Sequence, residues 1–235
     1  MTISSTNSVV FLMGPTASGK TELALEMYNQ LDASLISVDS ALIYRGMDIG
    51  TAKPSKVTLE NYPHALIDIC EPDESFSVNQ FVSLAKQHIE SALHAGKLPI
   101  LVGGTSFYFN ALEHGLSKLP ESTNDSRKYF NDRLKNQGSE KLHSQLLKID
   151  PISATRIHPN DSQRVTRALE VFHLSGVTLS ELQGNKNENK LNHEIKKIIL
   201  MPERSELHQR IEKRFIEMIK DGFLNEVEAL RKNKN

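Results

Sequence analysis

The chain has 235 residues, of which 38% are hydrophobic, and its formal net charge is −1. This length accommodates a full α/β domain with an appended unit. We expect neither a secretory leader nor a membrane-spanning segment, because no apolar run has the required length and flanks. The single cysteine, Cys70, excludes an internal disulfide and is typical of a protein of the cytoplasm. Because Cys70 follows an apolar run, we predict a small buried residue and not a nucleophile.

Charge is distributed unevenly along the chain. Residues 1–120 contain 7 Lys and Arg against 12 Asp and Glu, whereas residues 121–235 contain 21 against 17. A positive second half can face a polyanion, but helices with mixed charges on a solvated face give the same balance. Charge alone leaves both interpretations open.

The first predicted elements are a buried strand over Ser8–Met13 and a helix over the residues that follow Thr21. The segment between them fits the phosphate-loop pattern GxxxxGK[ST] at every position, and this pattern is typical of nucleotide-binding, ATP-binding proteins. It consists of Gly14, Pro15, Thr16, Ala17, Ser18, Gly19, Lys20 and Thr21. Gly14 and Gly19 allow successive N–H groups to surround an anion at a helix N-terminus. Lys20 adds a charge on the phosphates and Thr21 a hydroxyl for Mg2+, so we predict a diphosphate or triphosphate site over the alternative of a plain turn.

A second predicted strand, Ser34–Val38, ends at Asp39. Ligands bind beyond the carboxyl ends of parallel strands, so Asp39 is expected over the same crevice as the phosphate loop. There it is a candidate general base or metal-shell ligand. The alternative is a cap for the following turn, a common role of Asp.

The segment over residues 44–54 is rich in Gly, and we interpret it as an ordered loop over the site. Its Arg45, Thr51 and Lys53 are suited to an anionic ligand, although such loop residues are usually only solvated. Pro63 and His64, followed by Leu66–Ile69, predict a further short strand.

A helix over Ser77–Ala95 and a strand over Leu98–Val102 follow. Enzymes that hydrolyse ATP usually end this strand with an Asp that helps to hold the metal. Here it ends with Gly103, Gly104 and Thr105, which allow close approach to a ligand and one hydrogen bond. A tight strand-to-helix turn is the equal alternative for the glycines.

Beyond Pro120 the β-branched runs stop and short helices are predicted over 125–136, 138–148 and 161–175, separated by breaks at Pro151 and Pro159. In the third helix Arg164 and Arg167 share a face that suits phosphate contacts. A solvated Arg167–Glu170 pair is the equal alternative, and Val165 belongs to the buried stripe.

The final segment contains a polar linker over 185–192, a strand over 195–201 and helices over 204–220 and 224–230. In the longer helix, the predicted inward residues are Leu207, Ile211, Phe215 and Met218, and the predicted outward residues are Arg210, Lys213 and Arg214. The whole pattern predicts an α/β fold with a P-loop NTPase-like parallel sheet flanked by helices and a small all-helical insertion domain. The predicted domains are a core over 1–120, the insertion over 121–190 and a return to the core over 191–235.

Five blocks, in this order, resemble the bacterial tRNA dimethylallyltransferase (tRNA isopentenyltransferase, or IPP transferase) family. They are GPTASGKT, SVDSALIYRGMDIGTAKP, LVGGTSFYFNAL, RIHPNDSQRVTRALEVF and RSELHQRIEKRF. The resemblance covers nearly the whole chain and implies transfer of a dimethylallyl group from dimethylallyl diphosphate to tRNA, with Mg2+ as the cofactor. The acceptor is the exocyclic amine of the adenosine 3′ to the anticodon in tRNAs that read codons beginning with U. We expect a monomer without membrane partners.

The resemblance also implies roles for individual residues. Asp39 is the general base, Thr105 bonds near the flipped base, and Lys20 and the rest of the phosphate loop hold the diphosphate, with Thr21 as metal ligand. The implied tRNA contacts are Asp39, Ser40, Ala41, Leu42, Thr105, Arg127, Gln163, Arg164, Val165, Thr166 and Arg167. Leu42 stands where many members have Gln. The family continues with a segment that carries GY and RQ motifs, so we expect that the chain, which stops at Asn235, is truncated.

Two other classes of function fit the phosphate loop. A small-molecule or nucleotide kinase would use Asp39 as base for an acceptor hydroxyl and the helical insertion as a lid. A regulatory nucleotide switch or RNA-binding module would form no covalent product.

Overall fold

The computed structural model describes residues 7–184 and 190–232. The chain forms two compact units, one made of residues 1–115 with 190–235 and the other of residues 116–189. Most of the predicted linker, residues 185–189, lies outside the described residues. Within the described ranges, no helix combines the length and apolarity that crossing a membrane requires.

The first unit is built on a five-stranded parallel sheet in the order β3-β2-β4-β1-β5. The strands are β1 Ser8–Met13, β2 Ala33–Val38, β3 His64–Ala65, β4 Leu98–Gly103 and β5 Glu194–Ile199. The central strands are almost wholly buried, as expected for a parallel sheet covered on both faces. This arrangement confirms the predicted α/β fold and brings the carboxyl ends of β1, β2 and β4 to one edge.

The described helices of the first unit are α1 Lys20–Gln30, α2 Lys56–Asn61, α3 Val78–His94, α4 Ser106–His114, α10 Arg204–Lys220 and α11 Phe223–Lys232. Of these, α1 and α3 pack against the strands of the sheet. A capping box at Ser77 and Gln80 fixes the start of α3, whose buried stripe includes Phe81 and Ile89. Cys70 is buried as predicted, and burial raises the pKa of its thiol.

The second unit consists of five helices: α5 Asn124–Gln137, α6 Ser139–Ile149, α7 Pro151–Arg156, α8 Ser162–Ser175 and α9 Leu179–Gly184. Their apolar faces enclose a core that contains Phe130, Leu142 and Val165. Beside this core, the buried Glu170 accepts hydrogen bonds from Ser122, Ser126 and Arg167. Burial raises the pKa of Glu170, but these hydrogen bonds outweigh it and lower the pKa below the ordinary value.

Two local predictions are only partly correct, for identifiable reasons. The strand predicted within residues 63–69 is present but is limited to β3, because Leu66 and Asp68 adopt left-handed φ angles of 66° and 55° that end the extended backbone. A helix ends before Pro151 as predicted, since α6 stops at Ile149, but Pro151 also begins the unpredicted short helix α7, where a missing N–H is harmless. Asp150 caps that helix through the backbone N–H of Ser153.

The predicted orientation of α10 is also wrong. Ile211 and Phe215 were expected to face inward, yet they are 37% and 54% exposed. Leu207 and Met218 are only half-buried, and none of the residues of α10 is fully buried. Arg214, predicted to face outward, is instead half-buried and lines the cleft at the sheet edge.

Candidate active site

The phosphate loop connects β1 to α1 at the carboxyl edge of the sheet. Ala17 and Gly19 have positive φ angles of 60° and 91°, and Gly19 precedes the first residue of α1. Gly14 has no positive φ; it is required because a Cβ there would lie 2.6 Å from the Leu200 carbonyl oxygen. The loop residues 16–21 therefore line a cleft at a helix N-terminus, the arrangement that binds anions.

Lys20 bends back over this loop. Its Nζ donates to the carbonyl oxygen of Pro15 at 2.6 Å and to the Ser18 hydroxyl at 3.3 Å. Burial lowers the pKa of Lys20; attraction to Asp39 offsets part of this change, and repulsion from Arg214 adds to it. An anion in the cleft would stabilise the charged ammonium.

Asp39 follows β2 and lines the same cleft as Lys20. Its Oδ1 accepts hydrogen bonds from the backbone N–H groups of Ala41 at 2.8 Å and Leu42 at 3.3 Å. Asp39 therefore caps the following turn, as the alternative interpretation predicted, but only through Oδ1. Within residues 7–184 and 190–232, Oδ2 has no hydrogen-bond partner and is free to accept a proton.

The end of β4 supports the Asp39 turn. The Thr105 hydroxyl oxygen accepts a hydrogen bond from the Ser40 backbone N–H at 3.2 Å. A Cβ on Gly103 would lie 2.0 Å from the Val38 carbonyl oxygen, so this glycine is required for the close pairing of β4 with β2. Gly103 and Gly104 both line the cleft. The segment that allows β4 to pair closely with β2 therefore also leaves room for a ligand to approach.

The cleft has a volume of about 510 Å3. Leu42 and His64 contribute to its wall, as do Thr51, Ala52 and Pro54. Burial lowers the pKa of His64, although the hydrogen bond with the Tyr62 carbonyl opposes this change. The imidazole is thus held in its neutral form at neutral pH.

Two hydroxyl groups at the cleft fit a hydrated Mg2+ with a bound diphosphate. Ser37 is 3% exposed and lines the cleft, yet its Oγ has no hydrogen-bond partner in the described part of the chain. A buried hydroxyl is normally paired, so this one is available to bond a ligand in the cleft. Thr21 is exposed at the same cleft. Mg2+ usually takes few protein ligands and keeps waters and phosphate oxygens, so this sparse set fits the ion.

Two cationic residues of the cleft were missed by sequence reasoning, which placed them on the outer face of α10. Arg210 and Arg214 both line the cleft, and the Arg210 guanidinium lies 3.5 Å from the Ala17 carbonyl oxygen. Their spacing of four residues, which puts both on one helix face, was the available signal. Together with Lys20, Arg210 and Arg214 give the cleft three side chains that are cationic at neutral pH.

The loop over residues 44–54 contains fewer ligand-facing groups than predicted. Lys53 is buried and forms ion pairs with Asp48 and Asp68, so its proposed role toward an anion is wrong. Arg45 pairs with Glu71 and does not line the cleft. Thr51 does line it, although its hydroxyl donates to the Met47 carbonyl.

The candidate tRNA contacts of the second unit differ in exposure. Arg127, Gln163 and Arg164 are exposed. Val165 is wholly buried, so its side chain cannot contact a ligand. The Thr166 hydroxyl donates to the Ser162 carbonyl of its own helix. Arg167 donates to Glu170, Ser122 and the Pro120 carbonyl. The pairing with Glu170 is its predicted alternative role, but Glu170 is buried and not solvated.

Comparison with known proteins gives a consistent match. The family model described as IPP transferase matches residues 42–235. The chain is 63% identical over 235 residues to the tRNA dimethylallyltransferase of Ruthia magnifica subsp. Calyptogena magnifica and 60% identical to that of Vesicomyosocius okutanii subsp. Calyptogena okutanii. Each alignment covers 100% of this chain and 77% of the relative.

Solved structures of this kind share the fold. The full-length tRNA isopentenylpyrophosphate transferase from Bacillus halodurans is 38% identical, with a TM-score of 0.65, and the match covers 97% of this chain and 71% of that one. A eukaryotic dimethylallyltransferase that acts on tRNA is 27% identical, with a TM-score of 0.78 over 96% of this chain and 56% of that one. This chain belongs to the IPP transferase family, the family of the tRNA dimethylallyltransferases.

Proposed function

We propose that this protein transfers the dimethylallyl group of dimethylallyl diphosphate to the exocyclic amine of the adenosine 3′ to the anticodon of tRNA. The acceptors are tRNAs that read codons beginning with U. One observation carries the proposal: a phosphate loop and a carboxylate with a free oxygen, Asp39 Oδ2, line one cleft. The family membership of the chain supports the same reaction.

The diphosphate binds in the phosphate loop. Backbone N–H groups at the start of α1 and the ammonium of Lys20 face it, and Arg210 and Arg214 line the same cleft. Negative charge grows on the diphosphate as the allylic carbon–oxygen bond breaks, so these groups stabilise the transition state more than the ground state. Thr21 would hold Mg2+, which neutralises part of that charge.

Asp39 acts as the general base. The exocyclic amine of adenine is a poor nucleophile, and loss of a proton as its nitrogen attacks the allylic carbon leaves a neutral secondary amine. Oδ1 is fixed by the N–H groups of Ala41 and Leu42, so Oδ2 is held in one orientation to receive that proton. Thr105 positions this turn through Ser40.

The helical insertion, residues 121–190, is proposed to bind tRNA. Its Arg127 and Arg164 are exposed and suit phosphate contacts. Gln163 and Thr166 lie in the same block, whereas Val165 and Arg167 maintain its packing. The adenosine must leave its stack to reach the diphosphate in this cleft, at a cost of a few kcal/mol that a tRNA loop reduces.

The test is product formation. Unmodified tRNA is incubated with the protein, Mg2+ and dimethylallyl diphosphate, and its nucleosides are analysed by mass spectrometry. We expect a dimethylallyl-adenosine that is absent with Asp39→Ala and with Lys20→Ala. Absence of this product with the wild-type protein, together with thermal stabilisation by ATP and Mg2+ but not by dimethylallyl diphosphate, would support a kinase instead.

A further inference from the structure

A short turn beside the cleft encloses a carboxylate from the C-terminal helix. The Glu226 side chain in the first turn of α11 accepts hydrogen bonds from three successive backbone N–H groups. Its Oε2 lies 2.8 Å from Asp48 N and 2.7 Å from Ile49 N, and its Oε1 lies 3.0 Å from Gly50 N. Charge-assisted hydrogen bonds of this kind are roughly twice as strong as neutral ones.

A second contact from α11 requires a glycine in this turn. A Cβ on Gly50 would lie 2.3 Å from a ring carbon of Phe223. The ring therefore packs directly on the backbone of the turn. Glu226 and Phe223 together determine where residues 48–50 lie relative to α11.

The other end of the same loop forms part of the cleft wall. Thr51, Ala52 and Pro54 line the cleft, and the Thr51 carbonyl oxygen lies 3.5 Å from a guanidinium nitrogen of Arg214. Arg214 lines the cleft as well and repels the Lys20 ammonium. A displacement of residues 48–50 therefore moves the wall against which the donor diphosphate binds.

We propose that Glu226 is a positioning residue for the diphosphate donor, acting through the turn of residues 48–50 on the cleft wall and on Arg214. This role rests on the proposed function, because it presumes that the cleft binds the donor. It also explains why the MDIGTAKP segment contains so few ligand-facing side chains: its backbone N–H groups bind Glu226, and its Lys53 neutralises Asp48 and Asp68.

The test compares Glu226→Gln with Glu228→Gln in the full chain. Gln keeps the shape of the side chain but presents one oxygen and an amide donor to three N–H groups. Glu228 is exposed on the same helix and forms no ion pair or hydrogen bond within the described ranges, so its variant is the matched control. We expect E226Q to raise the KM for dimethylallyl diphosphate about tenfold. The KM for tRNA should stay within about twofold, and E228Q should match the wild type.

A role confined to stability would lower the melting temperature and the active fraction without changing the KM for the donor. An E226Q donor KM within about twofold of the wild type would therefore overturn the proposal. Hydrogen exchange gives a second measurement, since the amides of residues 48–50 should exchange faster in E226Q than in E228Q. If E226Q does not fold, Gly50→Ala perturbs the same turn from the Phe223 side and should raise the same KM. Wild-type protein that forms no prenylated tRNA would instead refute the proposed function itself.

Discussion

Lys20 links the protonation state of the cleft to donor binding. Burial lowers the pKa of Lys20 below that of an ordinary lysine, and a bound diphosphate favours the charged form. Donor affinity is therefore full below the lowered pKa and falls as the pH rises through it. We expect this fall at a lower pH than a solvated lysine would give. Calorimetric titration with dimethylallyl diphosphate between about pH 7.5 and about pH 10 measures it.

Lys20→Arg provides the control for that titration. An arginine stays charged over this range, so its affinity, whatever its absolute value, should be nearly constant with pH. A wild-type affinity that is equally constant would contradict the assignment of Lys20 to the diphosphate.

Ser37 gives a prediction with opposite effects on stability and binding. Its buried hydroxyl has no partner in the described ranges, so Ser37→Ala should raise the free energy of unfolding by up to about 1 kcal/mol in the absence of donor. The same change removes a group from the cleft and should weaken donor binding by about three- to tenfold. Ser153→Ala, at a buried serine of the second unit, should leave donor binding unchanged. Tighter or unchanged donor binding by S37A would show that the hydroxyl faces no ligand.

At the scale of elements, the pairing of β2 with β4 positions Asp39 through a glycine. Val38 and Gly103 are directly opposite each other, and an alanine at 103 would place its Cβ 2.0 Å from the Val38 carbonyl oxygen. The strands must separate at the end that leads into Asp39. We expect Gly103→Ala to lower the free energy of unfolding by at least about 2 kcal/mol and to reduce transfer activity. Urea unfolding and single-turnover prenylation measure the two effects.

Gly184→Ala is the matched control for this overpacking. A Cβ at Gly184, the last residue of α9, meets no atom of residues 7–184 or 190–232 within 4 Å. Its stability should stay within about 0.5 kcal/mol of the wild type. Equal stability of G103A and G184A would mean that the sheet relaxes around the added methyl group.

Sequence patterns predicted the elements that depend on local chemistry. β1, β2 and β4 are short apolar runs followed by turn residues, and α3 begins at a capping box. The errors arose where tertiary contacts decide the outcome. The orientation of α10 toward the cleft depends on the elements packed beside it, and the pairing of Lys53 with Asp68 joins residues that are 15 apart in the chain. The phosphate loop and Asp39 were predictable because their backbone context is local; Arg214, Ser37 and Glu226 acquire their roles only in three dimensions.

At the scale of the whole molecule, charge and chemistry are divided between the two units. The cleft and its phosphate loop belong to the sheet unit, whereas the exposed Arg127 and Arg164 belong to the helical unit. Substitutions in the helical unit should therefore change the response to tRNA and leave donor binding intact. The two arginines of α8 allow a sharp test, because they share a helix face but differ in what they contact.

Of the two arginines, Arg164 is the one whose side chain is available to contact tRNA. Its side chain is 74% exposed, and its only ion pair in the described part of the chain is with Asp161 at 3.4 Å, a surface contact worth little. Loss of one phosphate contact reduces the slope of log affinity against log salt by about one. Arg164→Ala should therefore weaken tRNA binding and lower this slope at unchanged stability, whereas Arg164→Lys should retain the slope. Filter binding over a series of salt concentrations measures both.

Arg167 should behave differently because it neutralises the buried Glu170. Removing one partner of such a pair leaves an uncompensated charge, so Arg167→Ala should lower the free energy of unfolding by about 3 kcal/mol. If Arg167 acts only through this packing, Glu170→Gln should reduce tRNA binding to a similar extent with the salt slope preserved in both variants. A lower slope in R167A alone would instead assign Arg167 a direct phosphate contact, and an unchanged slope in R164A would remove Arg164 from the tRNA interface.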